Sequence, residues 1–423
     1  MNARRMTWLV LAAIVLTACA PKATEAGSGG WIDWNGEDGW SGASGEGMAA
    51  GEADGMPLAE APGEAYRSDA GEESGAADQG ASLRAGSVDD NAEWDDYLLY
   101  RLQAADWGLR VHDIDVTQRY IVHVITPSGR PVLGAEVTFE NSQGDEVVTL
   151  MTPADGRALF FPAAFGAEDD GPFTAVVRKG GSRASGQISA DQREVEIVLE
   201  TSSTVEPVRL DIHFLIDVTG SMGDEIQRLK DNMIAIAEQI SELPSSPDVR
   251  FGMTVYRDRG DAFVSRTFDF TPDVEAFVDA LREVEANGGG DYPESLNEGL
   301  HNALHLPEWR VDDTVSIIFL VADAPPQLIY DQDYDYAVEV LVAAERGIKI
   351  FPIASSGLDD QGEYIFRQLA QITGGKFLFL TYGAGGAPGD DTTHHVDDYS
   401  VMSLDELVLA MVKEELAHLE AQP

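Results

Sequence analysis

From about residue 205 onward the chain alternates buried strands with amphipathic helices, and that rhythm limits the fold more than any other feature. "VRLDIHFLI" (208–216) is an apolar-rich run of strand length. In the following "MGDEIQRLKDNMIAIAEQI", Ile226, Leu229, Met233, Ile236 and Ile240 recur at helical spacing. "VRFGMTVY" and "AFVSRTFDF" read as strands. Thr271-Pro272-Asp273 offers a cap residue and a first-turn proline for a helix carrying Val274, Phe277, Val278 and Leu281, which stops at Asn287-Gly288. After "GGGDYPESLNEGLHNAL" come the strand "TVSIIFLVA", a helix ending before Gly347, the strand "IKIFPIA", a helix ending at Gly374, the strand "KFLFL" and a last amphipathic helix, "SLDELVLAMVKEELAHL". Such alternation predicts a mostly parallel, doubly wound α/β sheet over 205–423, with helices on both faces.

In that architecture ligands sit beyond the carboxyl ends of the strands. Three oxygen-rich loops fall there. The first holds Asp217, Thr219 and Ser221 in "IDVTGSM". The second holds Asp291, just after glycines 288–290. The third is Asp323, closing "IIFLVAD". Oxygen ligands from three separate loops suit Mg²⁺, Mn²⁺ or Ca²⁺ rather than zinc. The glycines allow the second loop's backbone a close approach. The competing reading of the first loop is helix capping, for which Asp, Thr and Ser are all suited.

The stretch from 208 to about 382 resembles the von Willebrand factor A domain, and "DVTGSM" resembles its metal-ion-dependent adhesion site, D-x-[ST]-x-S. "GGGDYPES" and "VADAPPQ" resemble the loops of a bacterial subgroup of that family. The resemblance implies bound Mg²⁺, hydroxyl oxygens as direct ligands, carboxylates bound directly or through water, and an open position for a partner's acidic side chain. Asp217, Thr219, Ser221 and Asp323 carry over by motif position. The second loop lacks the family's usual threonine; Asp291 is placed there, with Glu294 as the alternative. Three carboxylates around a dication leave one negative charge, which holds the cation more tightly and attracts an acidic partner less.

Upstream, "YIVHVI", "AEVTFEN", "VVTLMT", "ALFFPA", "FTAVVRK" and "EVEIVLE" are short β-rich runs between turn residues, the pattern of an all-β sandwich. Together with a short helix on Trp94, Leu98, Arg101 and Leu102 they make a second unit over 88–204. "SGRPVLGAEVTF…TPADGRALF" resembles carboxypeptidase-regulatory-like, immunoglobulin-shaped modules through Gly129, Pro131, Gly134, Ala135, Asp155, Gly156 and Arg157. That resemblance implies a spacer or binding module.

The chain begins "MNARR", then runs through the apolar "TWLVLAAIVL" to Leu16-Thr17-Ala18-Cys19. A charged start and an apolar run too short to span a bilayer read as a signal peptide over 1–18. The last four residues resemble a lipobox, which implies lipidation of Cys19. Ala20 after the cysteine favours the outer membrane of a Gram-negative envelope. Cys19 is the sole cysteine, so a disulfide is excluded. Residues 19–87 are Gly-, Ala-, Ser- and Glu-rich without an apolar period, and read as a disordered acidic tether holding Trp31, Trp34 and Trp40 as isolated aromatics.

The 74 acidic and 28 basic residues give a net charge of −46, which excludes nucleic acid as a partner. Arg259-Gly260-Asp261 spells an integrin-binding tripeptide but sits in a tight connection, so it reads as a turn. His394 and His395 fall in an acidic loop read as solvated. His301 and His305 stand i, i+4 on a helix, as zinc ligands can, but without an HExxH around them they read as surface or packing residues. With no nucleophile motif in view, the expected function is metal-dependent binding of an extracytoplasmic protein, not catalysis. An envelope scaffold with a purely structural metal is the second reading, and a hydrolase using metal-activated water the third.

Overall fold

The computed structural model describes residues 31–34, 83–112, 114–167, 171–201, 207–224, 226–290, 292–330, 333–383 and 389–419. The signal segment, Cys19, Trp40 and most of the stretch read as a tether lie outside the described residues. The elements are β1 (Trp31–Trp34), β2 (Arg84–Val88), α1 (Trp94–Ala104), β3 (Tyr120–Ile125), β4 (Glu136–Glu140), β5 (Glu146–Met151), β6 (Arg157–Phe160), β7 (Phe173–Lys179), β8 (Ser182–Ile188) and β9 (Glu194–Val198). They continue with β10 (Arg209–Asp217), α2 (Ile226–Ser241), β11 (Asp248–Tyr256), β12 (Ser265–Thr271), α3 (Val274–Arg282), α4 (Leu296–His305) and β13 (Thr314–Ala322). Last come α5 (Tyr336–Glu345), β14 (Ile348–Ala354), α6 (Asp360–Thr373), β15 (Phe377–Thr381), β16 (Met402–Ser403) and α7 (Leu404–Ala417).

The larger sheet has the order β1-β12-β11-β10-β13-β14-β15-β2-β16. Its centre, from β11 through β15, is parallel. β1, β12, β2 and β16 flank it in antiparallel pairings. β10 and β13 are buried on both faces, which is why they read as apolar-rich runs without an exposed polar face. The strand period then sorts their side chains. Phe214 and Ile216 with Phe319 and Val321 face α2, α3 and α7, whereas Leu215 with Ile318 and Leu320 face α4, α5 and α6. From β10 at the centre the chain builds outward through β11 and β12, then returns to the other side of β10 for β13, β14 and β15. The crevice beyond the carboxyl ends of β10 and β13 is therefore the switch point of the sheet, where an open α/β fold binds its ligand.

Two small sheets, β6-β3-β9 and β5-β4-β7-β8, enclose a separate core. Phe139 stacks on Phe160 at 4.2 Å, and Phe173 meets Phe160 edge-on at 5.0 Å. This is the expected two-sheet β unit. Its turn at Asp155-Gly156-Arg157 docks on the larger one. Asp155 Oδ2 lies 2.8 Å from Lys349 Nζ, and Lys349 also reaches Glu415 Oε1 on α7 at 2.7 Å. Gly156 has φ +70°, and a Cβ there would stand 2.7 Å from the Val124 carbonyl oxygen, so the tight turn demands glycine.

The domain division differs from the expected one at three places. Trp31–Trp34 pairs with β12, with Trp31 edge-on to Phe268 at 5.8 Å, and Arg84–Val88 pairs with β15 and β16. Segments at both ends of the supposed tether are thus strands of the larger sheet. The helix α1 belongs with the α/β unit, not the β unit. Its buried face is Tyr97, Tyr100 and Ala104, while Leu102 is exposed, because the tyrosines cover Arg367 and Tyr364 of α6. The β unit is accordingly inserted within the α/β unit rather than preceding it.

Candidate metal centre

Asp217 is the last residue of β10 and has no exposed surface. Its Oδ1 accepts the Thr219 N–H at 2.9 Å and the Thr219 hydroxyl at 2.7 Å. Its Oδ2 is buried and makes no hydrogen bond of ordinary geometry, with the Tyr256 hydroxyl as its neighbouring donor. The Thr219 and Ser221 hydroxyl oxygens lie 3.2 Å apart. A 3₁₀ turn over Gly220–Asp224 separates this loop from α2, which starts at Ile226. Asp217 is too far from that helix to cap it, so capping does not account for the motif's first carboxylate.

The second loop is bound to the first by backbone. Gly220 N–H donates to the Gly288 carbonyl at 3.0 Å, and Asn287 N–H to the Val218 carbonyl at 3.0 Å. A Cβ on Gly289 would stand 2.8 Å from Glu294 Oε1 and 3.0 Å from Thr219 Cβ, so this glycine brings the Glu294 carboxylate and Thr219 against one point. Glu294 is 3 % exposed, and its Oε2 is buried without a partner. Asp291 lies outside the described residues. Among those described, Glu294 is the second-loop carboxylate that enters the cradle. Asp323 follows β13 directly and is buried. In the β10–β13 register Ile216 pairs with Val321, which sets Asp217 and Asp323 at neighbouring strand ends.

Electrostatics place these carboxylates within reach of one another. Complete burial, then Asp323, push Asp217 up to about 7. Burial, then Asp217, Asp258, Asp261 and Asp323, push Glu294 up to about 9. The same carboxylates, added to burial, raise the Tyr256 phenol beside them. Such crowding without a local cation disfavours ionisation and is relieved by a bound dication.

A further layer was not visible in the sequence. Asp258 accepts the Ser295 hydroxyl at 2.9 Å and the Tyr330 hydroxyl at 2.6 Å. Asp261 accepts the amides of Gly289 at 2.8 Å and Asp258 at 3.2 Å. Arg259 pairs with Glu298 and Asp333. The Arg-Gly-Asp tripeptide is thus a turn in which Asp261 braces the second loop while Arg259 ties the turn to Glu298 of α4 and to Asp333. Its polar pattern could have been noticed, but its partners lie up to about seventy residues away in the chain.

The other histidines divide. His394 is not solvated as expected: its side chain is 5 % exposed, 3.2 Å from Glu363 Oε2 and edge-on to Phe377 and Phe379. His395 packs on Trp107 with ring centres 4.2 Å apart. Aromatic side chains of α1's tail and of β15 cover this acidic loop. His301 and His305 meet Glu339 of α5.

Residues 211–382 match the family model of the von Willebrand factor A domain. The chain is 31% identical over 137 residues to an alpha-protein kinase, vwkA, of Dictyostelium discoideum, which covers 32% of this chain and 21% of that protein. It is 30% identical over 213 residues to human von Willebrand factor A domain-containing protein 7, over 50% of this chain and 21% of that protein. The chain thus spans about a fifth of the length of these relatives. Proximal thread matrix protein 1 from the mussel byssus aligns over 40% of this chain and 41% of its own, at 17% identity and a TM-score of 0.32, a likeness too loose to carry an argument. Residues 211–382 thus match the von Willebrand factor A domain in sequence and in sheet order, and "DVTGSM" has the spacing of that domain's adhesion-site motif.

Proposed function

We propose that the chain is an envelope lipoprotein, held through Cys19, whose A domain captures a protein ligand through one divalent cation, and that it is not an enzyme. The observation that carries this is the buried Glu294 carboxylate at the switch point, whose Oε2 has no partner, crowded against the buried Asp217 carboxylate with no cationic side chain among the causes of either one's shift. Uncompensated buried charge costs several kcal/mol, and a cation compensates it. Asp217, Thr219, Ser221, Glu294 and Asp323 would hold the ion, with Asp291 as a further candidate. An all-oxygen set suits Mg²⁺, Mn²⁺ or Ca²⁺. The ion supplies positive charge for a ligand oxygen; the chain's own loops orient and desolvate it.

Cys19 precedes Trp31 by about a dozen residues, which extended span roughly 40 Å. Since β1 is already part of the sheet, anchoring at Cys19 would hold the A domain near the membrane rather than at the end of a long leash. The β unit, wedged between α1 and β10 in the chain and clamped through Asp155, serves in this reading as a rigid second face.

The competing role, a scaffold with a purely structural ion, draws support from the depth of Asp217 and Thr219, both without exposed surface. Ser221, in contrast, is exposed. Capture of envelope proteins by the immobilised chain, with and without EDTA, separates the two. Ligands lost in EDTA and restored by Mg²⁺ support adhesion. Capture indifferent to EDTA, with Mg²⁺ raising only the melting temperature, supports the scaffold.

A further inference from the structure

Helix α4 carries His301 and His305 one turn apart, and α5 sets Glu339 against both. His301 Nδ1 lies 2.8 Å from Glu339 Oε1, and His305 Nε2 lies 2.9 Å from Glu339 Oε2. One donor atom from each of the three residues lies within 4.8 Å of the others. We propose that His301, His305 and Glu339 form a second metal site, separate from the oxygen site of the A domain, which takes a borderline transition ion, Zn²⁺ first.

The donor set decides the metal. Two imidazole nitrogens and one carboxylate suit Zn²⁺ and its neighbours, whereas Mg²⁺ and Ca²⁺ prefer oxygen alone. In a tetrahedral zinc site with bonds of about 2.1 Å, donors stand about 3.4 Å apart, so the trio closes by side-chain adjustment alone. The residues are already oriented. His301 lies flat on Tyr334, with ring centres 3.5 Å apart and planes 6° apart, and the two imidazoles stand 4.3 Å from each other. Glu339 is fixed near the start of α5, where its N–H donates to the Asp335 carbonyl and Asp335 caps the helix.

Exposure fits as well. Glu339 is 6 % exposed, but the His305 side chain is 39% exposed, so solvent reaches a fourth coordination position. Bound metal would join α4 to α5. Because α4 begins two residues after Glu294, such a clamp would also steady the loop that carries Glu294 to the oxygen site.

The test titrates Zn²⁺ calorimetrically into the full-length protein, stripped with EDTA and then kept in saturating Mg²⁺ to fill the oxygen site. One Zn²⁺ per chain is expected. Losing an outer-shell partner typically costs ten- to a hundredfold in affinity, so His305→Gln and Glu339→Gln, each removing a direct ligand, should weaken binding by about a hundredfold or more. Asp217→Asn, which leaves all three donors in place, should change Zn²⁺ affinity by less than about tenfold, the part due to coupling with the emptied oxygen site. Circular dichroism and melting in EDTA check that the variants remain folded, and the glutamine at 305 keeps a donor for Glu339. Co²⁺ gives a second readout, an intense visible band of four-coordination that vanishes in both variants. If the parent binds no Zn²⁺ in Mg²⁺, or His305→Gln binds it as well as the parent, the three residues are a hydrogen-bonded trio only.

Discussion

Replacing Asp217 with asparagine puts a magnitude on the carboxylate crowding. In the metal-free fold this carboxyl is pushed up to about 7 from an ordinary 3.8, first by burial and then by Asp323. The folded chain therefore holds the proton more tightly than the unfolded chain. Below pH 4 both states carry it, and the site's contribution to stability is intact. As pH rises towards 7 the contribution is lost, by up to about 4 kcal/mol at about 1.36 kcal/mol per pH unit. That is an upper figure, since Glu294, itself pushed up in part by Asp217, shares the proton load. Asparagine escapes the loss, and its Oδ1 can still accept from Thr219. In EDTA, Asp217→Asn should match the parent at pH 4 and exceed it by about 2–4 kcal/mol at pH 8. Mg²⁺ at a hundredfold excess over Kd should then stabilise the parent by about 2.7 kcal/mol and the variant not at all. Urea melts at pH 4, 6 and 8, with EDTA and with Mg²⁺, read this out. A variant less stable than the parent at pH 8 in EDTA would refute the argument.

Three other outcomes follow from particular contacts. Lys349→Met leaves Glu415 buried without its cation, whereas Asp155 keeps Arg157; the loss should be about 3–5 kcal/mol, seen in thermal melts and largely recovered in Lys349→Met/Glu415→Gln. Glu294→Gln should weaken Mg²⁺ affinity more than Asp291→Asn does; calorimetry giving the reverse order would return Asp291 to the second-loop position. Halving 35–82 leaves about 25 residues to join β1 and β2, enough for roughly 80 Å, against about 40 Å across a nine-stranded sheet; the melting temperature should not change, and a drop would show that the segment packs on the fold.

The core of the A domain was legible because its strands are buried on both faces. Ile212, Phe214 and Ile216 make one apolar face, and the opposite face, Asp211, His213 and Leu215, is buried as well, so the run lacks the exposed polar positions of a half-buried strand. The positions of Asp217 and Asp323 followed, because strand order places both at the switch point. The edges were not legible. "WIDW" and "RAGSV" are too short to show a period, and both become strands only by pairing with β12 and β15, far away in the chain. The buried side of α1 was misread because Tyr97 and Tyr100, not Leu98 and Leu102, pack on α6, drawn by the Arg367 guanidinium 3.7 Å from the Tyr100 ring. Glu339 could not be joined to His301 and His305 from spacing, since the pairing of α4 with α5 brings them together. His394 looked solvated among aspartates, although Glu363 and two phenylalanines bury it.

The most direct measurement of the central claim is Mn²⁺ binding to the full-length protein, followed by electron paramagnetic resonance with one equivalent of Zn²⁺ per chain to occupy the nitrogen-rich site, since excess Zn²⁺ would displace Mn²⁺ from the oxygen site as well. The account predicts one bound Mn²⁺ per chain, displaced by Mg²⁺, and none in Asp217→Asn. A parent that leaves all its Mn²⁺ free, or an Asp217→Asn variant that binds it equally well, would contradict a cation held at the end of β10.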